Sequence, residues 1–218
     1  MIALLLLAFA PHLRIVTFGD SLTAPRDGVV TYTDVLAAEL PKLGISADIW
    51  NAGAGGNTST QARARFDRDV LQRRPDLVVI QLGTNDSAID VWKNPPATAP
   101  RVGLLEFRDN LLYFIHTLRE HHARVILMTP NRLAWTPKLR ELYGRPPYNP
   151  NGPDGFNILL DAYSDMIRGI AAREGVPLID VAAAMPASLL LDGMHPNTAG
   201  HRLVAGLLLK AIPSLLKP

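Results

Sequence analysis

The chain has 218 residues, 48% of them hydrophobic and 19% charged, with 22 Lys and Arg against 20 Asp and Glu. That length suits one domain over residues 1–218, and the apolar content excludes a disordered chain, as the scatter of 16 Gly and 18 Pro excludes a collagen-like one. A net charge of +2 and the absence of cysteine exclude a basic footprint for nucleic acid, a disulfide framework, a thiolate nucleophile and a Cys-based zinc site.

Residues 2–10, IALLLLAFA, end in the triplet Ala8-Phe9-Ala10, which has the form of a secretory cleavage site. No Lys or Arg precedes this run and Pro11 follows it, so residues 1–11 read either as a leader or as an N-terminal extension, and both export and a cytoplasmic location stay open. No apolar run reaches the roughly 18 residues of a membrane span. LRIVTF (13–18) predicts a strand and residues 30–43 a helix with Val35, Leu36, Leu40 and Leu43 on one side. ADIW (47–50) predicts a second strand, and residues 58–71 a helix capped by Thr58 or Ser59. Arg63, Arg65, Arg68, Arg73 and Arg74, interleaved with Asp67 and Asp69, read as its solvated face. DLVVIQL (76–82) is the continuous run of a strand buried on both faces. Then follow a long amphipathic helix (103–122), a strand (124–129), a helix (156–174), a strand (176–181) and a closing helix (197–216). The alternation predicts an α/β fold on a five-stranded parallel sheet. Segments 86–102 and 130–155, rich in Pro and aromatic residues, break the rhythm as long loops.

Four polar clusters fall where predicted strands stop, and ligands of parallel α/β sheets collect at the carboxyl ends of the strands. They are Gly19-Asp20-Ser21-Leu22, Asn51 to Thr58 with Gly53, Gly55 and Gly56, Gly83-Thr84-Asn85-Asp86, and Asp192 to Asn197 with His195 and Pro196. Singly, each reads as an ordinary turn. As an ordered set at one sheet edge they fit acyl transfer. A serine hydroxyl is a poor nucleophile until a base takes its proton, and His195 is the base at hand. Asp192, three residues earlier, is spaced to orient the imidazole. A glycine NH and an asparagine amide are the donors a tetrahedral oxyanion needs.

These clusters resemble the sequence blocks of the SGNH (GDSL) hydrolase family, from Phe18 to Asn197. The resemblance implies Ser21 as nucleophile, with its own NH, Gly56 and Asn85 as the oxyanion hole, and Asp192 and His195 as the rest of the triad. Gly53 and Gly55 stand beside Gly56 as alternatives. The family fold it implies is a three-layer α/β/α sandwich with a flavodoxin-like sheet order. The Gly-x-Ser-x-Gly elbow of the larger α/β-hydrolases does not occur in the chain.

The function expected is a cofactor-free serine esterase acting on short carboxylic esters, such as O-acetyl groups on carbohydrates. A thioesterase or lysophospholipase acting on longer chains is the alternative within the class. A non-catalytic domain holding a nucleotide at the glycine turn 53–56 is the rival outside it. Trp92, Trp135, Tyr143 and Tyr148 offer flat faces for a sugar, or else pin the loops to the body. Asp20 and Asp86 adjoin catalytic positions; hydrogen bonds that hold the turns are their expected work, with a substrate contact also open to Asp20. No cluster has metal-ligand spacing, and NPNGPDG (149–155) reads as turn chemistry. The expected partner is a small-molecule or carbohydrate ester, with neither nucleic acid nor a stable membrane span, and a homo-oligomer is left open.

Overall fold

The computed structural model describes residues 12–152 and 154–215; the signal-like run 2–10 lies outside them. Five parallel strands, β1 (Leu13–Gly19), β2 (Ala47–Gly53), β3 (Leu77–Gln81), β4 (Arg124–Met128) and β5 (Leu178–Ile179), form one sheet in the order β2-β1-β3-β4-β5. Strand side chains alternate in direction, and here both faces are apolar. Val16, Phe18, Val78, Ile80, Val125 and Leu127 meet Phe66 of α2 (Ser59–Asp69), Phe107, Leu111 and Phe114 of α3 (Leu104–Glu120), and Tyr163 and Ile167 of α5 (Ile158–Glu174). Ile15, Leu77, Val79, Ile126 and Met128 meet Tyr32 and Leu36 of α1 (Tyr32–Glu39) and Val204 and Leu208 of α7 (Thr198–Leu215). The result is the expected three-layer α/β/α sandwich.

The register decides where the chemistry goes. Gly19 pairs with Gly53 on one side and with Gln81 on the other, so the first three strands stop level. Close approach requires glycine at this edge. A Cβ on Gly19 would lie 2.5 Å from the Gln81 carbonyl, and one on Gly53 would lie 2.2 Å from the Ala24 nitrogen. The order of connections reverses between β1 and β3, which opens a crevice beyond the strand ends.

The structure differs from the sequence reading in four places. The helix expected over 30–43 ends at Glu39 and continues as a 3₁₀ turn, Leu40–Leu43, because Pro41 has no amide to extend the α-helical ladder. The second strand runs three residues further, to Gly53. The fifth shrinks to Leu178–Ile179, because Asp180 accepts from the Ala183 NH and starts α6 (Val181–Ala184) at once. The 130–155 loop contains a helix, α4 (Pro137–Tyr143), with Thr136 as its cap and Pro137 in its first turn. Segments 86–102 and 130–155 meet in a satellite apolar cluster of Ile89, Val91, Leu139, Tyr143, Tyr148 and Phe156.

The main core turns on Phe114, fully buried with its ring centroid 4.8 Å from Phe66 and 5.5 Å from Phe18. Phe114→Ala leaves a cavity between α2, α3 and one face of the sheet and is expected to cost about 3–5 kcal/mol, read as a shift of the urea midpoint without change in slope.

Candidate active site

β1 delivers the chain into a turn built around one buried carboxylate. The Asp20 carbonyl accepts from the Thr23 and Ala24 amides at 3.2 and 3.0 Å, and its side-chain Oδ1 accepts from the Leu22 NH at 2.9 Å. This closes the turn beneath Ser21 and leaves the serine side chain only partly covered. Ser21 Oγ lies 3.0 Å from His195 Nε2, and His195 Nδ1 lies 2.8 Å from Asp192 Oδ2. A carboxylate beside Nδ1 accepts a hydrogen bond from it and so keeps the ring proton there, leaving Nε2 to face the serine as an acceptor. Asp192 Oδ1 accepts from the amides of Met194 and His195 at 3.0 and 2.9 Å. Burial alone would raise the Asp192 carboxyl, but the His195 amide, the His195 ring and the Met194 amide hold it below the usual carboxylate range.

The turn that carries His195 is docked from outside. The carbonyl of Gly193, a residue at φ +82°, accepts from the Ala134 NH at 2.7 Å, and a Cβ there would lie 2.3 Å from the Ala134 carbonyl. The buried Asn131 donates to the Met194 carbonyl at 3.0 Å.

Hydrogen-bond donors gather at the ends of β1, β2 and β3. Gly56 adopts φ +75° at the tip of a turn tied by Ala54 NH to the Gly19 carbonyl, 3.0 Å, and by Asn57 NH to the Ala54 carbonyl, 3.2 Å. Among the described residues the amides of Ser21 and Gly56 have no protein acceptor. Asn85 Nδ2 donates to the Asn57 carbonyl at 3.1 Å and to Asp20 Oδ2 at 3.3 Å. All six residues singled out around the reaction, Asp20, Ser21, Gly56, Asn85, Asp192 and His195, therefore lie at one sheet edge.

The model of the GDSL-like Lipase/Acylhydrolase family matches residues 17–203. The chain belongs to that family. As a member it is a carboxylic ester hydrolase. It is 29% identical over 197 residues to an acetylxylan esterase of Geobacillus stearothermophilus, a match covering 85% of this chain and 80% of that one. It is 38% identical over 138 residues to an uncharacterized lipoprotein of Bacillus subtilis, covering 61% of this chain and 54% of the lipoprotein, so it spans about half that relative's length. Among solved structures, an α/β hydrolase enzyme from the metagenome of Lake Arreo superposes with a TM-score of 0.74 at 28% identity, covering 96% of this chain and 99% of that one. The crystal structure of the Geobacillus acetylxylan esterase superposes with a TM-score of 0.72 at 24% identity, covering 92% and 94%, and shares the fold.

The hydrolase's site rests on residues that the sequence did not single out. Arg65 belongs to the arginine-rich stretch expected on a solvated helix face, but its side chain is only 11% exposed. It donates to the carbonyls of Gly19 and Ala52, both at 2.8 Å, to Asn57 Oδ1 at 2.7 Å and to Asp69 at 3.0 Å. Its position was legible in one respect: it stands three residues after Ala62 and one before Phe66, beside the helix's buried stripe. Arg101, from the end of the 86–102 excursion, donates to Asn85 Oδ1 at 3.1 Å.

The loop aromatics divide. Trp135 stacks on Phe156 at 4.4 Å and 10°, and Tyr143 and Tyr148 are buried in the satellite cluster. Trp92 is 45% exposed, its indole NH donating to the Tyr143 hydroxyl at 3.3 Å. Tyr143 also lines, with Asn85, Leu133, Phe156, Leu160 and Met194, a cavity of about 40 Å³. Trp92 lines an open groove of about 490 Å³ with Gly56, Gln61, Lys93, Arg101 and Glu106. Among the described residues no group of three or more His, Asp or Glu is placed to hold a metal ion, and no helix is long and apolar enough to cross a membrane.

Two carboxylates at this edge are buried. Burial, with Asp86 nearby, pushes Asp20 up to about 7 against its bonds to Leu22 and Asn85. Burial also raises Asp86, whose Oδ1 accepts from the Ser59 NH at 2.8 Å, one of the free amides at the start of α2. The native fold therefore holds protons that the unfolded chain, with an Asp pKa of roughly 3.9, has already released. The stability this proton confers is complete below about pH 4 and is lost as pH rises through about 7. In Asp20→Asn the fall of unfolding free energy between pH 4 and 7, measured by urea titration, should become shallower, the remaining slope coming in part from Asp86.

Proposed function

We propose that the protein is a serine esterase that removes short acyl groups, acetyl above all, from carbohydrate esters. The observation that carries the reading is the unbroken relay Ser21–His195–Asp192 at 3.0 and 2.8 Å beside the Ser21 and Gly56 amides, which have no acceptor among the described residues. His195 Nε2 takes the Ser21 proton as Oγ attacks the acyl carbon. Asp192 stabilises the imidazolium, and the Ser21 NH, Gly56 NH and Asn85 amide receive the oxyanion. The imidazolium then returns the proton to the departing alcohol oxygen, leaving an acyl-serine. Water, deprotonated by the same nitrogen, attacks that ester and frees the acid and Ser21.

The small cavity beside Asn85 and Met194 supports a short acyl group. Its 40 Å³ admits on the order of three water-sized bodies at roughly 10–15 Å³ each, enough for an acetyl and too little for the chain of a lysophospholipid. The alcohol side is read from the groove that starts at Gly56. Its volume lies inside the roughly 300–1,000 Å³ range of small-molecule sites. Its cations are neutralised in place, since Lys93 and Arg101 both pair with Asp90 at 2.7 Å. A neutral polar groove with one exposed indole suits a polyol better than a phosphate-bearing leaving group. Trp92 is our candidate for the sugar contact, while Trp135 and Tyr143 shape the wall through loop packing. The acetylxylan esterase among the relatives favours the same chemistry. A phosphate cradle at residues 53–57 is disfavoured, because the amides of Gly53, Ala54 and Asn57 already donate within the protein.

Ser21→Ala should lower kcat on 4-nitrophenyl acetate by roughly 10⁴-fold or more and abolish labelling by a fluorophosphonate probe, with the fold unchanged by circular dichroism. Retention of a tenth of the wild-type rate would remove Ser21 from the nucleophile's role.

Across acetate, butyrate, octanoate and palmitate esters of one alcohol, kcat/KM should peak at acetate. Trp92→Ala should raise KM several-fold on acetylated xylo-oligosaccharides and leave aryl acetate hydrolysis unchanged. A maximum at eight carbons or longer would replace the acetyl reading with a lipid one.

A further inference from the structure

Asn85 is asked to do more than its amide allows at first sight. Nδ2 carries two hydrogens, and both already point at acceptors, the Asn57 carbonyl at 3.1 Å and Asp20 Oδ2 at 3.3 Å. To serve an oxyanion it must share one of them, and sharing weakens each bond. Its other end is not left to water. Arg101 Nη1 donates to Oδ1 at 3.1 Å.

The rest of the Arg101 guanidinium is fixed. Nε donates to both oxygens of Asp90 at 3.1 Å and Nη2 donates to Oδ1 at 2.7 Å, while the Asp90 side chain is only 4% exposed. The backbone closes around the same point. The Arg101 NH donates to the Ala88 carbonyl at 3.0 Å and the Val102 NH to the Asp86 carbonyl at 3.2 Å. The excursion that leaves the sheet just after Asn85 thus returns at Arg101, with its fork aimed back at the amide.

We propose that Arg101 is a positioning residue for the reaction, holding Asn85 Oδ1 so that Nδ2 faces the oxyanion and polarising that amide as a donor. This rests on the reading of Asn85 as an oxyanion donor. Two effects combine. An amide flipped by about 180° would set Oδ1 against two acceptors and Nδ2 against a cation, so Arg101 adds a third penalty to the wrong orientation. A cationic donor on the amide oxygen also strengthens what the amide nitrogen donates in turn, since hydrogen bonds in series polarise one another. A lysine reproduces the charge but not the fork: one ammonium cannot span Asp90 and Asn85 in the guanidinium's geometry.

The test is a double-mutant cycle on 4-nitrophenyl acetate, a substrate too small to fill the Trp92 groove. Asn85→Ala alone should cost roughly 10²–10³-fold in kcat with KM little changed. Arg101→Ala should cost on the order of ten-fold in kcat, a fraction of the loss of the donor itself, with KM within about two-fold. In the Asn85→Ala background the same Arg101 change should cost less than about two-fold, because the group it positions is gone. Arg101→Lys should fall between Arg101→Ala and the wild type. A residue that merely braced the loop would lower kcat by the same factor in both backgrounds, and that result overturns the proposal, as does an unchanged kcat in Arg101→Ala. If Arg101→Ala strands the Asp90 charge and fails to fold, Asp90→Asn/Arg101→Gln removes the ion pair together and is measured in the same two backgrounds against the same criterion. If Asn85→Ala keeps its kcat, the oxyanion reading of Asn85 falls; if it loses kcat while Arg101→Ala does not, only the present inference falls.

Discussion

A guanidinium buried at the carboxyl edge of the sheet carries more of this structure than its place on a helix suggests. Parallel strands that stop level leave carbonyls without a partner strand beyond them, and buried carbonyls must find donors. Arg65 meets two of them, at Gly19 and Ala52, and reaches Asn57 with a third nitrogen. Burying a charge this deep is costly unless it is paired and fully hydrogen-bonded. Asp69 supplies the countercharge one turn along the same helix, and the Phe18 ring lies 4.6 Å beneath the guanidinium. The bonds continue outward. The Asn57 side-chain oxygen accepts from Arg65 while its backbone carbonyl accepts from Asn85, and Asn85 donates to Asp20, whose turn presents Ser21. The turn of Ser21, the glycine turn and the Asn85 amide are one hydrogen-bonded unit rooted in α2.

That unit has a cost written into its charges. Asp20 and Asp86 are carboxylates placed where burial disfavours their ionised forms. Each accepts a backbone amide that would otherwise be orphaned, Leu22 in the serine turn and Ser59 at the start of α2. Asp86 still leaves one buried oxygen without a protein partner among the described residues. The arrangement trades stability near neutral pH for turns held by side-chain hydrogen bonds, which fits the role we propose for Ser21 beside His195.

What could be read from the sequence followed from periodicity and from residue types with few alternative uses. LRIVTF and DLVVIQL are too short and too β-branched for helices and form strands, but periodicity does not set their neighbours: their pairing side by side is the order that the family resemblance implied. Ser21, His195 and Asp192 come together because the turn after β1 and the turn 192–195 lie at one edge of the sheet. Periodicity is silent where elements are brief: α4 has seven residues and opens on proline, and β5 has two. Arginine was the harder case. Arg65 and Arg68 look alike in the sequence, yet one is buried and the other lies on the surface, because only Arg65 falls beside the Ala62–Phe66 stripe. Arg101 had no local signal at all; its partner Asn85 is sixteen residues away across a loop whose path depends on tertiary packing. The aromatic residues failed for the same reason: sequence counts Trp92, Trp135 and Tyr143 alike, and only packing decides which faces solvent.

The two kinds of support are separable, and this bears on how such a site changes its substrates. The catalytic edge hangs from α2 and the strand ends. The wall of the cavity beside Asn85 hangs from the satellite cluster of Ile89, Val91, Leu139, Tyr143, Tyr148 and Phe156, an apolar core of its own distinct from those on either side of the sheet. The two parts touch through few polar links: Arg101 to Asn85 from one loop, and Asn131 to Met194 with Ala134 to Gly193 from the other. Side chains inside the satellite cluster can therefore be exchanged, and the 40 Å³ cavity enlarged or closed, while Ser21, His195 and Arg65 keep their partners. A substitution at the links is different in kind, because it moves a wall and a reacting group together. Substrate range in this architecture is free to drift with the loops only so long as those few contacts hold.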